Sequence, residues 1–182
     1  MHNDLLKVLV TESQIANRVV DIAEEITDYY RGKPLTVICL SNGAIVFAAD
    51  LIRRIPIPLQ LDSISVSSYR GTESTGEIHM HKGLRLCVKD RDVLIVDDIL
   101  DTGLTLSRVT EEVHKASPKS VQTCVLLNKP ARRRLEIEPD FSGFEIEDHF
   151  VVGYGLDYNE AYRNLPCIGI LKQEIYQSQG NR

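Results

Sequence analysis

The segment from Val93 to Leu106 constrains the fold of this 182-residue chain more than any other stretch. The apolar run that ends at Val96 leads directly into Asp97 and Asp98. A third carboxylate follows three residues later, then Thr-Gly-x-Thr, and then apolar residues at helical spacing. A strand without polar alternation is covered on both faces, as in a parallel sheet. The segment therefore predicts a buried strand, an acidic loop and the start of a helix.

This acidic loop is predicted to lie at the carboxyl end of its strand, where open α/β sheets bind ligands. The backbone N–H groups and the positive dipole end of the following helix suit a phosphate group. The neighbouring carboxylates suit hydroxyl groups, or a Mg²⁺ ion that accompanies phosphates. The loop thus indicates a site for a phosphorylated ligand.

The remaining apolar patterns predict a single α/β domain over residues 1–182, with a mostly parallel, twisted sheet flanked by helices. Thr11 and Gln14 have the spacing of a capping box before the first helix, which we expect to end near Gly32. Two more helices are predicted over 43–54 and from 106 to before Pro118. Predicted strands cover residues 35–40, 59–66, 84–88, 93–96, 121–127, 150–152 and 168–171.

Composition narrows the function classes. The hydrophobic content of 43% and charged content of 26% are ordinary for a globular protein, and the net charge of −5 argues against nucleic acid as a partner. No apolar run has the roughly 20 residues of a membrane span. The first residues lack the pattern of a secretory signal, so we expect a cytoplasmic protein. The four cysteines sit in or beside apolar runs, and we expect them to be reduced and buried.

The segment around the two adjacent aspartates resembles the signature of type I phosphoribosyltransferases, which use 5-phosphoribosyl 1-pyrophosphate (PRPP). The resemblance implies that Asp97 and Asp98 hold the ribose hydroxyls, directly or through Mg²⁺. It also implies that the next loop wraps the 5′-phosphate, through Thr102, Gly103, Leu104 and Thr105. Further similar segments follow in the family's order over most of the chain.

The resemblance also implies a purine site. An aspartate at the position of Asp101 marks the branch that uses hypoxanthine and guanine, where it would exchange a proton with purine N7. Lys129 matches the lysine that reads the 6-oxo group. In a small base-binding hood formed by terminal segments, Phe150 would stack on the base and the Val151 backbone would meet its edge. Asp157 would lie near the base or bind a second Mg²⁺.

For pyrophosphate, the resemblance implies contacts from Asn42, Gly43, Ser68, Tyr69 and Arg163, under a mobile loop over about residues 67–83. Two positions depart from the family's pattern. Asn42 replaces a basic residue, and the peptide bond before this position is often cis in the family. The second departure is in the phosphate loop, where Leu104 replaces a lysine that some relatives carry.

The expected activity is transfer of the phosphoribosyl group from PRPP to hypoxanthine or guanine, by a homodimer or homotetramer. Xanthine-preferring or 6-aminopurine enzymes remain open, although Lys129 argues against a 6-amino group. An RNA-binding regulator on the same fold, or a non-catalytic PRPP sensor, are alternatives from other classes. Arg132-Arg133-Arg134 is the candidate RNA patch, but with Glu136 and Glu138 beside it such a run is usually a solvated face.

Overall fold

A six-stranded sheet with helices on both faces forms the body of the protein. The computed structural model describes residues 1–68, 78–80 and 83–177. In chain order the elements are β1 (Leu5–Val10), α1 (Glu12–Tyr30), β2 (Leu35–Ser41), α2 (Ile45–Ile52), β3 (Leu59–Ser68), β4 (Ile78–Met80), β5 (Asp92–Leu100), α3 (Leu104–His114), β6 (Ser120–Asn128), β7 (Phe141–Glu145), β8 (Val151–Val152), β9 (Ile168–Leu171) and α4 (Gln173–Gln177). None of the helices in these ranges is both long and apolar enough to cross a membrane.

The strand order of the main sheet is β4-β3-β2-β5-β6-β7. β2, β3, β5, β6 and β7 are parallel, and only β4 pairs antiparallel, with β3. This order confirms the predicted mostly parallel sheet. The chain moves outward from β2 to β3 and then returns to the other side of β2 as β5. β2 and β5 therefore flank the topological switch point, where such sheets bind ligands.

The core has two layers because both faces of the central strands are apolar. Val37 and Leu94 face α1 and α2, whereas Ile38 and Ile95 face the side covered by α3. The predicted capping box of α1 is confirmed. Thr11 Oγ1 accepts a hydrogen bond from the backbone N–H of Gln14, and the backbone N–H of Thr11 donates to Gln14 Oε1. The two core layers fix the position of the ends of β2 and β5 relative to each other.

A three-stranded antiparallel sheet of order β1-β9-β8 joins the two ends of the chain. It is the expected hood of terminal segments. The sequence analysis missed β1, because Leu6, Lys7 and Val8 are exposed and the strand shows no clear alternation. It also missed β7, a short edge strand whose middle residues are only partly buried.

Three local predictions are wrong. Residues 84–88 are not a strand, and the segment is instead anchored by side-chain hydrogen bonds. Asp97 and Asp98 are not in a loop, because β5 keeps its pairing with β6 as far as Leu100. Cys87 is exposed, whereas the other three cysteines are buried as expected.

Asp62, on β3, anchors that irregular segment. Its Oδ2 accepts the backbone N–H groups of Arg85 at 2.7 Å and Leu86 at 2.8 Å, and its Oδ1 accepts that of Ser63 at 2.9 Å. Burial by itself would raise the pKa of Asp62, but these bonds and the charge of Arg85 outweigh it and lower the pKa. The ionised carboxylate is thus the stabilising form.

We expect Asp62→Asn to lower the free energy of unfolding at pH 7 by about 1–3 kcal/mol, because the amide replaces one of the two acceptor oxygens with a donor and removes the negative charge. The lowered folded-state pKa means that the contribution is complete above the unfolded pKa of about 4 and is lost as the pH falls further. Urea denaturation at pH 7 and pH 3 should show the difference shrinking at pH 3. Asp28→Asn, at a side chain that is 75% exposed, is the control. An equal difference at both pH values would contradict this role.

Candidate active site

A cleft of about 730 Å³ opens at the carboxyl ends of β2 and β5. The structure brings ten of the predicted site residues to its wall: Asn42, Gly43, Asp97, Asp98, Asp101, Thr102, Gly103, Thr105, Asp157 and Arg163. Ser65, Ile99, Arg132 and Glu160 also line it and were not predicted. The cleft therefore lies at the switch point and collects residues from five separate segments.

The turn after β2 lies directly against the acidic pair. A Cβ atom added to Gly43 would stand 1.8 Å from Asp98 Oδ2, so only glycine fits at this position. The Ser41–Asn42 peptide bond is cis, a point that the sequence left open because Asn42 replaces the basic residue usual in the family. This turn and the end of β5 therefore form one continuous surface.

Two carboxylates share a buried position in this surface. Asp97 is 9% exposed, and the backbone N–H of Asp98 donates to its Oδ1 at 3.0 Å. Burial, reinforced by the negative charge of its neighbour, raises the pKa of Asp97, and burial also raises that of Asp98 although the charge of Arg163 opposes it. Below them, burial and the two carboxylates raise the pKa of Cys39 to about 12. The pair is suited to hydroxyl donors or a cation.

The same pair fits a Mg²⁺ ion of the kind that the family resemblance implies. Within the described ranges, no three His, Cys, Asp or Glu residues are grouped as a metal cage. Mg²⁺ does not need one, because it usually binds through one or two carboxylates and completes its shell with water and substrate phosphates. Two adjacent carboxylates with raised pKa values are a donor set of that type.

A left-handed glycine opens the loop that follows β5. Gly103 has φ of 86° and caps α3, and the hydrogen-bond ladder of the helix begins when Ser107 N–H donates to its carbonyl. The N–H groups of Leu104 and Thr105 precede that ladder, and that of Leu104 makes a long 3.5 Å contact with Thr102 Oγ1. As the first N–H groups of a helix have no intrahelical acceptor, they can bind an anion.

The carbonyls of this loop are held from the outer side. Leu100 O accepts the backbone N–H of Lys129, and Thr102 O accepts that of Arg134, both at 3.0 Å. Between them, Arg133 Nε donates to Asp101 O at 3.1 Å. Arg133 is only 10% exposed, so the interpretation of the arginine run as a solvated face is wrong for its middle residue. The sequence offered one signal for this inward position, because the arginine run follows the predicted strand over 121–127 closely.

Asp101 stands at the rim of this loop with one oxygen unsatisfied. Its Oδ1 is buried and has no hydrogen-bond partner within the described part of the chain. Its Oδ2 lies 3.5 Å from Arg132 Nη1. Buried carboxylate oxygens normally accept a hydrogen bond, so an unpaired one beside a cleft indicates a ligand donor.

Arg163 and Asp157 close the opposite side of the cleft. Arg163 Nη2 lies 3.0 Å from both Asp157 Oδ1 and Glu160 Oε2, and Nη1 donates to Gly155 O at 2.8 Å. The guanidinium is 25% exposed and is thus held in place at the cleft wall. A planar guanidinium in this position is suited to phosphate oxygens.

Lys129 is buried beside the cleft and does not line it. Its ammonium lies 2.6 Å from Asp148 Oδ1 and donates to His149 O at 3.1 Å. The ion pair lowers the pKa of Asp148. An ammonium carries three donors, so one donor remains after these two contacts. Because the Lys129 backbone also binds the loop after β5, this residue connects that loop to the segment before Phe150.

Phe150 and Val151 are likewise outside the lining of the cleft. The Phe150 ring stacks on Tyr176 of α4, with centroids 4.9 Å apart, and meets Tyr158 edge-on at 5.7 Å. Val151 is buried and pairs with Ile170 in the hood. Ser68 ends β3, but its side chain, Tyr69 and most of the predicted 67–83 loop lie outside the described residues.

Comparisons with known proteins agree with this arrangement. Residues 9–159 match the phosphoribosyl transferase domain family. The chain is 48% identical to a hypoxanthine-guanine phosphoribosyltransferase of Staphylococcus aureus over 98% of its own length and 100% of the relative's. The Staphylococcus epidermidis enzyme of that name is 47% identical, with 97% and 99% covered. A solved Staphylococcus aureus hypoxanthine phosphoribosyltransferase superimposes with a TM-score of 0.92 at 48% identity, covering 97% of this chain and 96% of that one.

The family match spans most of the chain, and the relatives share close to half of its residues over nearly its full length. The acidic pair, the glycine-capped loop and most of the cleft wall lie within the matched region, and Glu160 and Arg163 follow directly after it. The chain belongs to the phosphoribosyltransferase family.

Proposed function

We propose that the protein is a purine salvage enzyme that transfers the 5-phosphoribosyl group of PRPP to N9 of hypoxanthine or guanine. The products are IMP or GMP, and pyrophosphate. The observation that carries this proposal is the unpaired, buried oxygen of Asp101 between the acidic pair and the phosphate loop. The curated relatives named for this activity support it.

In the reaction, the bond between ribose C1 and the pyrophosphate oxygen breaks, and its electron pair leaves with pyrophosphate. The lone pair of purine N9 forms the new bond to C1. Asp101 accepts the proton that the base loses at N7, so that the base does not become cationic. Proton transfer of this kind typically contributes 10²–10⁴-fold to the rate.

The remaining residues position the sugar and its charges. Asp97 and Asp98 accept hydrogen bonds from the ribose hydroxyls, and the N–H groups before α3 bind the 5′-phosphate. Pyrophosphate is held by Asn42, Gly43, Ser68, Tyr69 and Arg163. In the phosphate loop, Leu104 contributes its backbone only. The loop over about 67–83 would exclude water from the cation-like sugar.

Mg²⁺ is the proposed cofactor, held by Asp97, Asp98 and, at a second position, Asp157. When bound, it neutralises charge on the leaving pyrophosphate. The base would be recognised by Lys129 through its 6-oxo group, by Phe150 through ring stacking and by the Val151 backbone. The free donor of Lys129 suits an oxo group and opposes an amino group, which brings its own protons.

We also propose a cytoplasmic homodimer or homotetramer that does not bind nucleic acid. Ile45 on α2 is 49% exposed and Leu61 on β3 is 42% exposed, which suits subunit contacts. An RNA-binding role is disfavoured because the arginine run faces inward at Arg133 and borders the cleft at Arg132. Light scattering tests the oligomeric state.

The direct test supplies PRPP and Mg²⁺ with hypoxanthine, guanine, xanthine, adenine or uracil, and follows nucleotide formation by chromatography. We expect product from the 6-oxopurines hypoxanthine and guanine and none from adenine or uracil. If PRPP binds and no base yields a nucleotide, the protein is a sensor or regulator and not an enzyme.

Asp101→Asn is nearly isosteric and removes the proton acceptor. We expect turnover to fall by roughly tenfold or more, while PRPP still binds and its affinity measured by calorimetry is not weakened. The exposed-site variant Asp28→Asn should retain full turnover. Native turnover in Asp101→Asn would remove this residue from the mechanism.

Lys129→Met retains the apolar stem and removes the ammonium. We expect kcat/KM for hypoxanthine and guanine to fall by about tenfold or more, because a hydrogen bond to the 6-oxo group is lost. The KM for PRPP should change little, since Lys129 lies outside the cleft. Lys115→Met, at a 63% exposed side chain, is the control. An unchanged kcat/KM for both bases would contradict the proposed role.

A further inference from the structure

The cleft contains more negative than positive charge, although its proposed substrate carries phosphates at both ends. Five carboxylates line it, from Asp97, Asp98, Asp101, Asp157 and Glu160. Among the described residues, Arg132 and Arg163 are the cationic side chains on its wall. With two cations for a substrate that carries phosphates at both ends, we expect each guanidinium to serve a different phosphate group.

These two arginines are held by different segments of the cleft wall. Arg163 is held by the segment that carries Asp157, on the side proposed for pyrophosphate. Arg132 ends the short 3₁₀ turn Pro130–Arg132, whose following residues bind the carbonyls of Asp101 and Thr102. Arg132 is thus attached to the loop proposed for the 5′-phosphate, and that loop has no basic side chain of its own because its first helical residue is Leu104.

We propose that Arg132 is the cation that binds the 5′-phosphate of the substrate, which deepens the function proposed above and rests on it. The guanidinium is 51% exposed, and its contact with Asp101 is a 3.5 Å ion pair, so it is not locked in place. Phosphate oxygens accept a bidentate pair of donors from arginine and replace the carboxylate as its partner. The exchange also removes the cation from Asp101 at the moment when this carboxylate is needed to accept the purine proton.

The arginine run provides its own controls. Arg133 holds the loop backbone and is not a suitable variant, because its loss would disturb the loop itself. Arg134 is exposed and its side chain lies away from the cleft, beside Leu135 and Glu136. Arg134→Gln therefore removes the same charge from the adjacent position without touching the cleft wall.

The test measures the affinity of two probes by calorimetry, each in three proteins: native, Arg132→Gln and Arg134→Gln. Ribose 5-phosphate reports on the 5′ end, and magnesium pyrophosphate reports on the opposite end. We expect Arg132→Gln to weaken ribose 5-phosphate binding by roughly tenfold to a hundredfold, as for loss of a charge-assisted bond, and to leave pyrophosphate binding within about twofold of native. Arg134→Gln should leave both affinities near native.

A second comparison tests the exchange of partners. If Asp101 competes with the phosphate for Arg132, Asp101→Asn should tighten ribose 5-phosphate binding in the native background and not in Arg132→Gln. Native-like ribose 5-phosphate binding by Arg132→Gln, or an equal loss for both probes, would overturn the proposal. If native protein makes no nucleotide and binds neither probe, the proposed function itself fails, which is a separate result.

Discussion

The contact between Gly43 and Asp98 is the constraint on which the site depends. Parallel strands β2 and β5 lie side by side, so the turn after one strand must pass over the carboxylates at the end of the other. No side chain fits between them, since a Cβ at Gly43 would fall 1.8 Å from the Asp98 carboxylate. This close approach places the proposed pyrophosphate turn and the proposed ribose ligands on the same surface.

Electrostatics explain why such a surface needs its ligands. Burial raises the pKa values of Asp97 and Asp98, and the charge of Asp98 raises that of Asp97 further, so the acidic pair is stabilised by bound hydroxyls or by a cation. The two arginines of the cleft are already paired with carboxylates, Arg132 with Asp101 and Arg163 with Asp157. Substrate phosphates can replace these carboxylates, so that binding rearranges ion pairs that already exist in the cleft.

The sequence predicted the central sheet well because strands covered on both faces carry unbroken apolar runs, as from Val93 to Val96. It located the acidic pair and the glycine-capped loop because these follow such a strand directly. It missed β1, which is stable only because it pairs with β9 from the far end of the chain. It also missed the inward position of Arg133, since the carbonyls that bind this residue are adjacent to it only after folding.

The most direct test of this account is a calorimetric titration of PRPP with Mg²⁺ into native protein, Gly43→Ala and Asp28→Asn. Asp28 is 75% exposed and lies on α1, outside the cleft, so that variant is the control. We expect Gly43→Ala to lose roughly tenfold or more in PRPP affinity, because the turn or Asp98 must move, while its melting temperature stays near native. Native PRPP affinity in Gly43→Ala would contradict the claim that this contact builds the substrate site.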